Sequence, residues 1–252
     1  MSDSGLCVKC ISGYLHEGTP AGTVREIAGT ATYVAPSPAT PSDKTIVILT
    51  DLFGYKLPNS RLVADEYSRA GYNVIVPDIL HDDGMGFDSL KNVKNLTEMF
   101  EIVGPWLQNH GPETVIPITD AIFAELRSQK QKIGIVGFCF GGREAFHYAA
   151  TDKVDVVCTM HPSLINIPAD AQKVKKPISI HVAASDEIYD AAKSKEAAEI
   201  FEKNKVPYEN RIYDGEGVEH GFGIRADLSK APAKKAKEAA FSATVAWFDK
   251  FL

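Results

Sequence analysis

A chain of 252 residues with 44 % hydrophobic and 24 % charged side chains has enough apolar material for a sizeable core. Its net charge of −6 leaves no basic footprint for nucleic acid or an anionic membrane, and no apolar run approaches the roughly 20 residues of a membrane span. Four cysteines (Cys7, Cys10, Cys139, Cys158) do not make a disulfide scaffold at this length.

The N-terminal MSDSGLCVKCISG lacks the basic-then-apolar pattern of a secretory leader, so a reducing cytoplasmic setting is expected. A polar, glycine-dotted stretch precedes ATYVA (31–35) and a Pro/Ser-rich spacer (36–43). TIVILT (45–50) is short, continuously apolar and β-branched, which predicts a strand buried on both faces. Residues 58–70 place Leu62, Val63, Tyr67 and Ala70 on one side of a helix that Gly71 stops. YNVIVP (72–77) is the next strand; a loop rich in Asp and Gly follows, then helical patterns around 91–103 and 113–129. KIGIVGF (132–138) predicts a strand, and the residues after Gly141 a helix to about Ala150. Strands are expected at 155–160, 178–183 and 208–214, with a helix over 191–204 between the last two. Over 233–252, Phe241, Val245, Phe248 and Leu252 share one helical face.

Strand and helix alternate almost throughout, without an internal repeat or a separating linker. The pattern predicts an α/β fold with a mainly parallel central sheet and helices on both faces. Residues 1–252 form one domain in this reading, with 1–30 an N-terminal extension packed on it. Ligands of such sheets bind beyond the carboxyl ends of the strands. Chemistry is therefore sought at Asp51, Asp78, Cys139, His161, Asp186 and His220.

Gly137-Phe138-Cys139-Phe140-Gly141 is a strand-to-helix corner with G-x-S-x-G spacing and cysteine in the serine position. Such a corner holds the middle side chain in the open, and the helix N-terminus behind it favours a thiolate. The N–H of Phe140 is then one oxyanion donor. A phosphate loop or a buried structural cysteine is the plainer alternative, but no G-x-x-x-x-G-K-[ST] or dinucleotide fingerprint is present.

A nucleophile needs a base and a group to orient it, in the chain order nucleophile, acid, histidine. His147 reads as a packed helical residue and His181 as a hydrogen-bonded strand residue. His161 ends a strand within reach of the site but precedes every plausible acid. His220, in the glycine-flanked loop EGVEHGFG, stands where the base belongs, and Asp186 of VAASDE is the acid. Glu187 and Asp190 read as solvated loop carboxylates.

GFCFGG, AASD, HGF and the segment 50–78 (TDLFGYKLPNSRLVADEYSRAGYNVIVPD) together resemble the dienelactone hydrolase family, within the α/β-hydrolase superfamily. The N-terminal C…GYLHEGTPAG and the MHPS motif are most similar to its fungal branch. The resemblance implies the α/β-hydrolase fold and cleavage of small-molecule esters or lactones through a cysteine and a thioester. It implies no cofactor, in a monomer or homodimer without nucleic-acid or membrane partners. By the same match Asp51 stands where a glutamate holds the resting thiol, and Leu52 supplies the second oxyanion N–H. Arg225 stands where an arginine receives a substrate carboxylate, and a surface pairing with Asp227 or Glu219 is its bland alternative. The loop 77–90 lacks the second carboxylate-binding arginine of bacterial members, so dienelactone itself is not the expected substrate.

Cys7 and Cys10 form a lone C-x-x-C with His16 nearby; no second pair completes a four-ligand zinc site, so no metal is expected and both are read as reduced surface or strand cysteines. Trp106 and Trp247 read as packing residues, and Phe138 and Phe140 as either pocket mouth or core. A catalytically silent hydrolase-fold protein that binds a small molecule or a protein remains the alternative function. Thiol redox chemistry at Cys139 is a third.

Overall fold

The computed structural model describes residues 5–90 and 92–252. Its strands are β1 (Thr23–Ile27), β2 (Thr30–Val34), β3 (Lys44–Leu49), β4 (Asn73–Pro77), β5 (Lys132–Phe138), β6 (Val156–Met160), β7 (Ile178–Ala183) and β8 (Tyr208–Tyr213). Its helices are α1 (Pro58–Arg69), α2 (Leu96–Asn109), α3 (Pro112–Ser128), α4 (Phe140–Ala149), α5 (Ala191–Lys203), α6 (Phe222–Arg225) and α7 (Ala231–Phe251). The strands form one sheet in the order β1-β2-β4-β3-β5-β6-β7-β8. The joins β1–β2 and β2–β4 are antiparallel, and those from β4 to β8 are parallel.

The apolar run of β3 is explained by its burial on two sides. Side chains alternate along a strand, so Ile46 and Ile48 enter one hydrophobic cluster while Val47 and Leu49 enter the other. The first cluster is closed by α1 and α7 through Tyr67, Trp247 and Phe248. The opposite one is closed by α2 to α5 through Met99, Phe123, Phe146 and Phe201. The helices thus cover both faces, as the alternation predicts. No helix among the described residues is long and apolar enough to cross a membrane.

Two elements depart from expectation. TVREI is a strand, β1, although four of its five residues are exposed; an edge strand held by its ladder to β2 carries no apolar signal. Helix α2 starts at Leu96 rather than near 91, because the Asn95 side chain accepts the Glu98 N–H at 3.0 Å and caps it there. It continues past Pro105 to Asn109, where buried Trp106 donates through Nε1 to the Asp83 carbonyl at 2.7 Å.

The N-terminal segment matters most for the site. A short 3₁₀ turn, Val8–Ile11, lies across the carboxyl ends of the central strands with Cys7, Cys10 and Ile11 buried. The Leu164 N–H donates to the Gly5 carbonyl at 3.1 Å, and the Tyr14 N–H to the Arg225 carbonyl at 3.1 Å.

Candidate active site

Strand β5 delivers Cys139 to the corner before α4 with φ 48° and ψ −108°. A non-glycine residue there carries strain on the order of 1–3 kcal/mol, which persists only where the surroundings impose it. The glycines on either side show what imposes it. A Cβ on Gly137 would collide with the Gly141 carbonyl, and one on Gly141 with the Leu49 carbonyl. The chain therefore packs against itself at both flanks, and the residue between them is forced into the turn. The Cys139 carbonyl accepts the N–H groups of Gly142 and Ser163, each at 2.9 Å. Its Sγ lies 3.4 Å from Ser163 Oγ. The expectation of an open nucleophile is corrected here: Cys139 is fully buried.

His220 and Asp186 meet as the chain order predicts. Nδ1 of the imidazole lies 2.9 Å from Asp186 Oδ2, and Asp186 Oδ1 accepts the N–H groups of Ile188 and Tyr189 at 2.9 and 3.2 Å. Burial alone would lower the His220 pKa, but the charges of Cys10 and Asp186 outweigh it and raise the imidazole well above its ordinary range. Burial likewise opposes ionisation of Asp186, and the charge and hydrogen bond of His220 hold its carboxyl below the usual carboxylate range.

The other imidazole nitrogen faces two groups. His220 Nε2 lies 3.4 Å from Ser163 Oγ and 3.5 Å from Cys10 Sγ. Ser163 therefore stands between Cys139 and His220, touching both. His161 is at the site too, its ring 4.9 Å from that of His220. Neither of its ring nitrogens has a partner among the described residues, and burial pushes it well below the ordinary histidine pKa.

Asp51 and Arg225 require a second correction. Both are buried, and they pair with each other. Asp51 Oδ1 also accepts the Phe53 N–H at 3.0 Å. Arg225 donates to the carbonyls of Ser12 at 2.9 Å and Cys10 at 3.1 Å, and lies over the Phe53 ring. Asp51 thus grips Arg225 rather than the thiol, and Arg225 is neither a free carboxylate receptor nor a surface partner of Asp227 or Glu219. Leu52 follows β3 in the turn that holds this pair, and Phe140 is the first residue of α4, where helix N–H groups have no intrahelical acceptor.

A sequence profile of the Dienelactone hydrolase family matches residues 30–252. The chain is 35 % identical to the hydrolase pyvD of Aspergillus violaceofuscus, over 96 % of each chain. It is 33 % identical to the hydrolase tropI of Talaromyces stipitatus, over 96 % of this chain and 95 % of that one. The chain belongs to the dienelactone hydrolase family. Its fold is that of the dienelactone hydrolase from Anabaena variabilis, with a TM-score of 0.61 at 17 % identity over 94 % of this chain and all of that one. It is an α/β-hydrolase fold, and the protein is a hydrolase of the dienelactone hydrolase type.

Several residues of this family member stand apart from their predicted places. Cys7 and Cys10 are buried in a 3₁₀ turn, not on the surface or in a strand. Their sulfurs and His220 lie within 4.8 Å of one another, a group able to hold a metal ion. Phe138 and Phe140 are both core residues, one in each hydrophobic cluster. His147 is exposed rather than packed, whereas His181 is buried between Ser179 and Tyr213 at 2.9 and 2.8 Å, as a strand histidine should be. Asp190 caps α5 through the Lys193 N–H at 2.8 Å. Ser163 escaped a role altogether, although MHPS places it just beyond the end of β6. Two cavities flank the N-terminal turn and reach His220: one of about 310 Å³ lined by Ser12, Tyr14 and Arg225, another of about 510 Å³ lined by Cys7, Leu96 and Glu187.

Proposed function

We propose that this hydrolase cleaves esters or lactones of small molecules through Cys139, with His220 as base and Asp186 as its orienting acid. The observation that carries the reading is the chain of contacts Cys139–Ser163–His220–Asp186, at 3.4, 3.4 and 2.9 Å. Once the Cys10 turn is displaced and His220 is neutral, Ser163 accepts the thiol proton while its own hydroxyl proton passes to His220 Nε2, and the thiolate left at the start of α4 faces the helix N-terminus. The sulfur attacks the carbonyl carbon, and the Leu52 and Phe140 N–H groups hold the oxyanion, worth about 3 kcal/mol per donor. Collapse expels the alkoxide, which takes the proton from His220 and leaves a thioester. His220 then draws a proton from water for the second attack, and the acid leaves as the thiol reforms.

Cys10 and its turn stand over this machinery, so a substrate has to displace them. We propose no preference for carboxylated substrates, because Arg225 is committed to Asp51 and to the turn. We take residues 1–252 to be one domain, with the extension supplying the cover. We take the working compartment to be the cytoplasm, where the free cysteines stay reduced. The buried state of Cys139 is what favours the catalytically silent alternative.

A short aryl ester tests the choice. An acyl adduct on Cys139, seen by intact mass and peptide mapping, is expected, with turnover lost on the order of 10⁶-fold in Cys139→Ala. Near wild-type turnover in that variant, or an adduct on Cys10, overturns the reading.

A further inference from the structure

We infer that Cys7, Cys10, His220 and Ser163 form a site for a soft divalent cation of the zinc type, and that the bound ion holds the hydrolase closed. The binding half stands on geometry alone; the closing half rests on the proposed role of His220.

The spacing of the four atoms carries the inference. Zinc takes sulfur at about 2.3 Å, imidazole nitrogen at about 2.0–2.1 Å and oxygen at about 2.0–2.2 Å in a tetrahedron. Those bonds imply edges of about 3.8 Å between two sulfurs and about 3.6 Å between sulfur and nitrogen. They imply about 3.6 Å between sulfur and oxygen and about 3.4 Å between nitrogen and oxygen. Cys7 Sγ and Cys10 Sγ are 3.8 Å apart. Cys10 Sγ lies 3.5 Å from His220 Nε2 and 3.6 Å from Ser163 Oγ. Ser163 Oγ lies 3.4 Å from His220 Nε2. Four edges of the figure are thus already set. The Cys7–His220 separation is within 4.8 Å and has to shorten by at most about 1.2 Å.

The surroundings suit the task. Asp186 holds Nδ1 of His220 at 2.9 Å and leaves Nε2 to the ion, the carboxylate–histidine arrangement common behind zinc. The Cys7 N–H donates to Cys10 Sγ at 3.3 Å and holds that sulfur in place. Arg225 clamps the turn by the carbonyls of Cys10 and Ser12, and Leu164 clamps it by Gly5. Two thiolates neutralise a divalent ion in this buried place, and their protons pass to the buffer on binding. Two soft sulfurs and an imidazole select zinc-like ions over magnesium or calcium. The ion would take both Nε2 and the Ser163 hydroxyl, the groups through which Cys139 loses its proton.

The reduced, chelator-treated full chain is titrated with cobalt(II) and then with zinc(II). One equivalent of cobalt should give the absorption bands of tetrahedral thiolate coordination, and zinc should abolish them. Cys7→Ser and Cys10→Ser, each verified as folded by thermal melt, should weaken binding at least about tenfold. Asp186→Asn should weaken it about 10–100-fold without removing a ligand. Aryl-ester hydrolysis should fall to background with one equivalent of zinc and return with chelator, whereas Cys7→Ser keeps its chelated activity and resists zinc. Absence of thiolate–cobalt bands, or bands unchanged in both cysteine variants, overturns the site. Binding without loss of hydrolysis overturns its closing role. A chain that binds cobalt as expected but cleaves no ester even with chelator refutes the proposed hydrolytic reading and with it the closing role, not the binding.

Discussion

Two cysteine-bearing turns approach one imidazole, Cys10 directly and Cys139 through Ser163, and they are built in opposite ways. The Cys139 corner is held by covalent neighbours and the sheet: β5 brings it up, packed glycines fix its backbone, and α4 leads away behind it. The Cys7–Cys10 turn is four residues of 3₁₀ helix at the end of a mostly exposed segment, anchored by side chains from far along the chain. The first turn cannot move without disturbing the central strands. The second is held by the Arg225 and Leu164 contacts and by burial of Leu6, Cys7, Cys10 and Ile11 in a hydrophobic cluster. A corner fixed by its own sheet beside a turn tied down by distant side chains is what the difference teaches, and the first three variants below press on one side of it.

Among these variants the largest effect is expected behind the imidazole, at Asp186. Asp186→Asn should lower aryl-ester turnover on the order of 10⁴-fold while the protein melts as before, since the wrong tautomer is then held at His220. An unchanged rate would mean that Asp186 does not orient the base.

Arg225→Gln attacks the cover. It leaves Asp51 buried without its cation and frees the Cys10 and Ser12 carbonyls, which should cost about 3–5 kcal/mol in urea unfolding. Turnover of carboxylated and neutral esters should change by the same factor. A loss confined to the carboxylated ester would restore Arg225 as a substrate-binding residue and remove it from the account of the turn.

Ser163→Ala tests the link between the two turns. The loss of a proton relay should reduce turnover by about 10²-fold with little change in KM. Turnover within twofold of the parent would show that Cys139 reaches His220 without it.

The smallest effect concerns a histidine outside both turns. His181 is buried in β7, and burial pushes its pKa down to about 3 from the ordinary 6.5. It stays neutral in the folded chain while the unfolded chain takes up a proton below 6.5, so its stabilisation is full above that pH and is lost as pH falls toward 3. The expected slope is about 1.4 kcal/mol per pH unit, which His181→Gln should remove from urea unfolding between pH 6.5 and 5. His220 is shifted the other way and contributes with the opposite sign, so an unflattened acid limb in the variant would assign it to other groups, His161 first among them.

Most of the fold was legible because it is written locally. Apolar β-branched runs mark β3, β5, β6 and β7, and the glycine-flanked Cys139 marks the corner by spacing alone. Asp186 and His220 were legible from chain order, since each follows a strand end in a fold whose site lies there. The short edge strand β1 left no such trace, because only one of its residues is buried.

What the sequence determined, then, is the sheet, the corner and the strand ends that carry Asp186 and His220, each a consequence of short-range pattern and backbone stereochemistry. Tertiary structure alone decided that Cys10 sits on His220 from 210 residues away, that Ser163 lies between Cys139 and His220, and that Arg225 turns to Asp51 across 174 residues. A lone C-x-x-C carries half of a metal site in sequence; the other ligands come from loops beyond β6 and β8, and no periodicity records a meeting of side chains that only the folded path brings within reach.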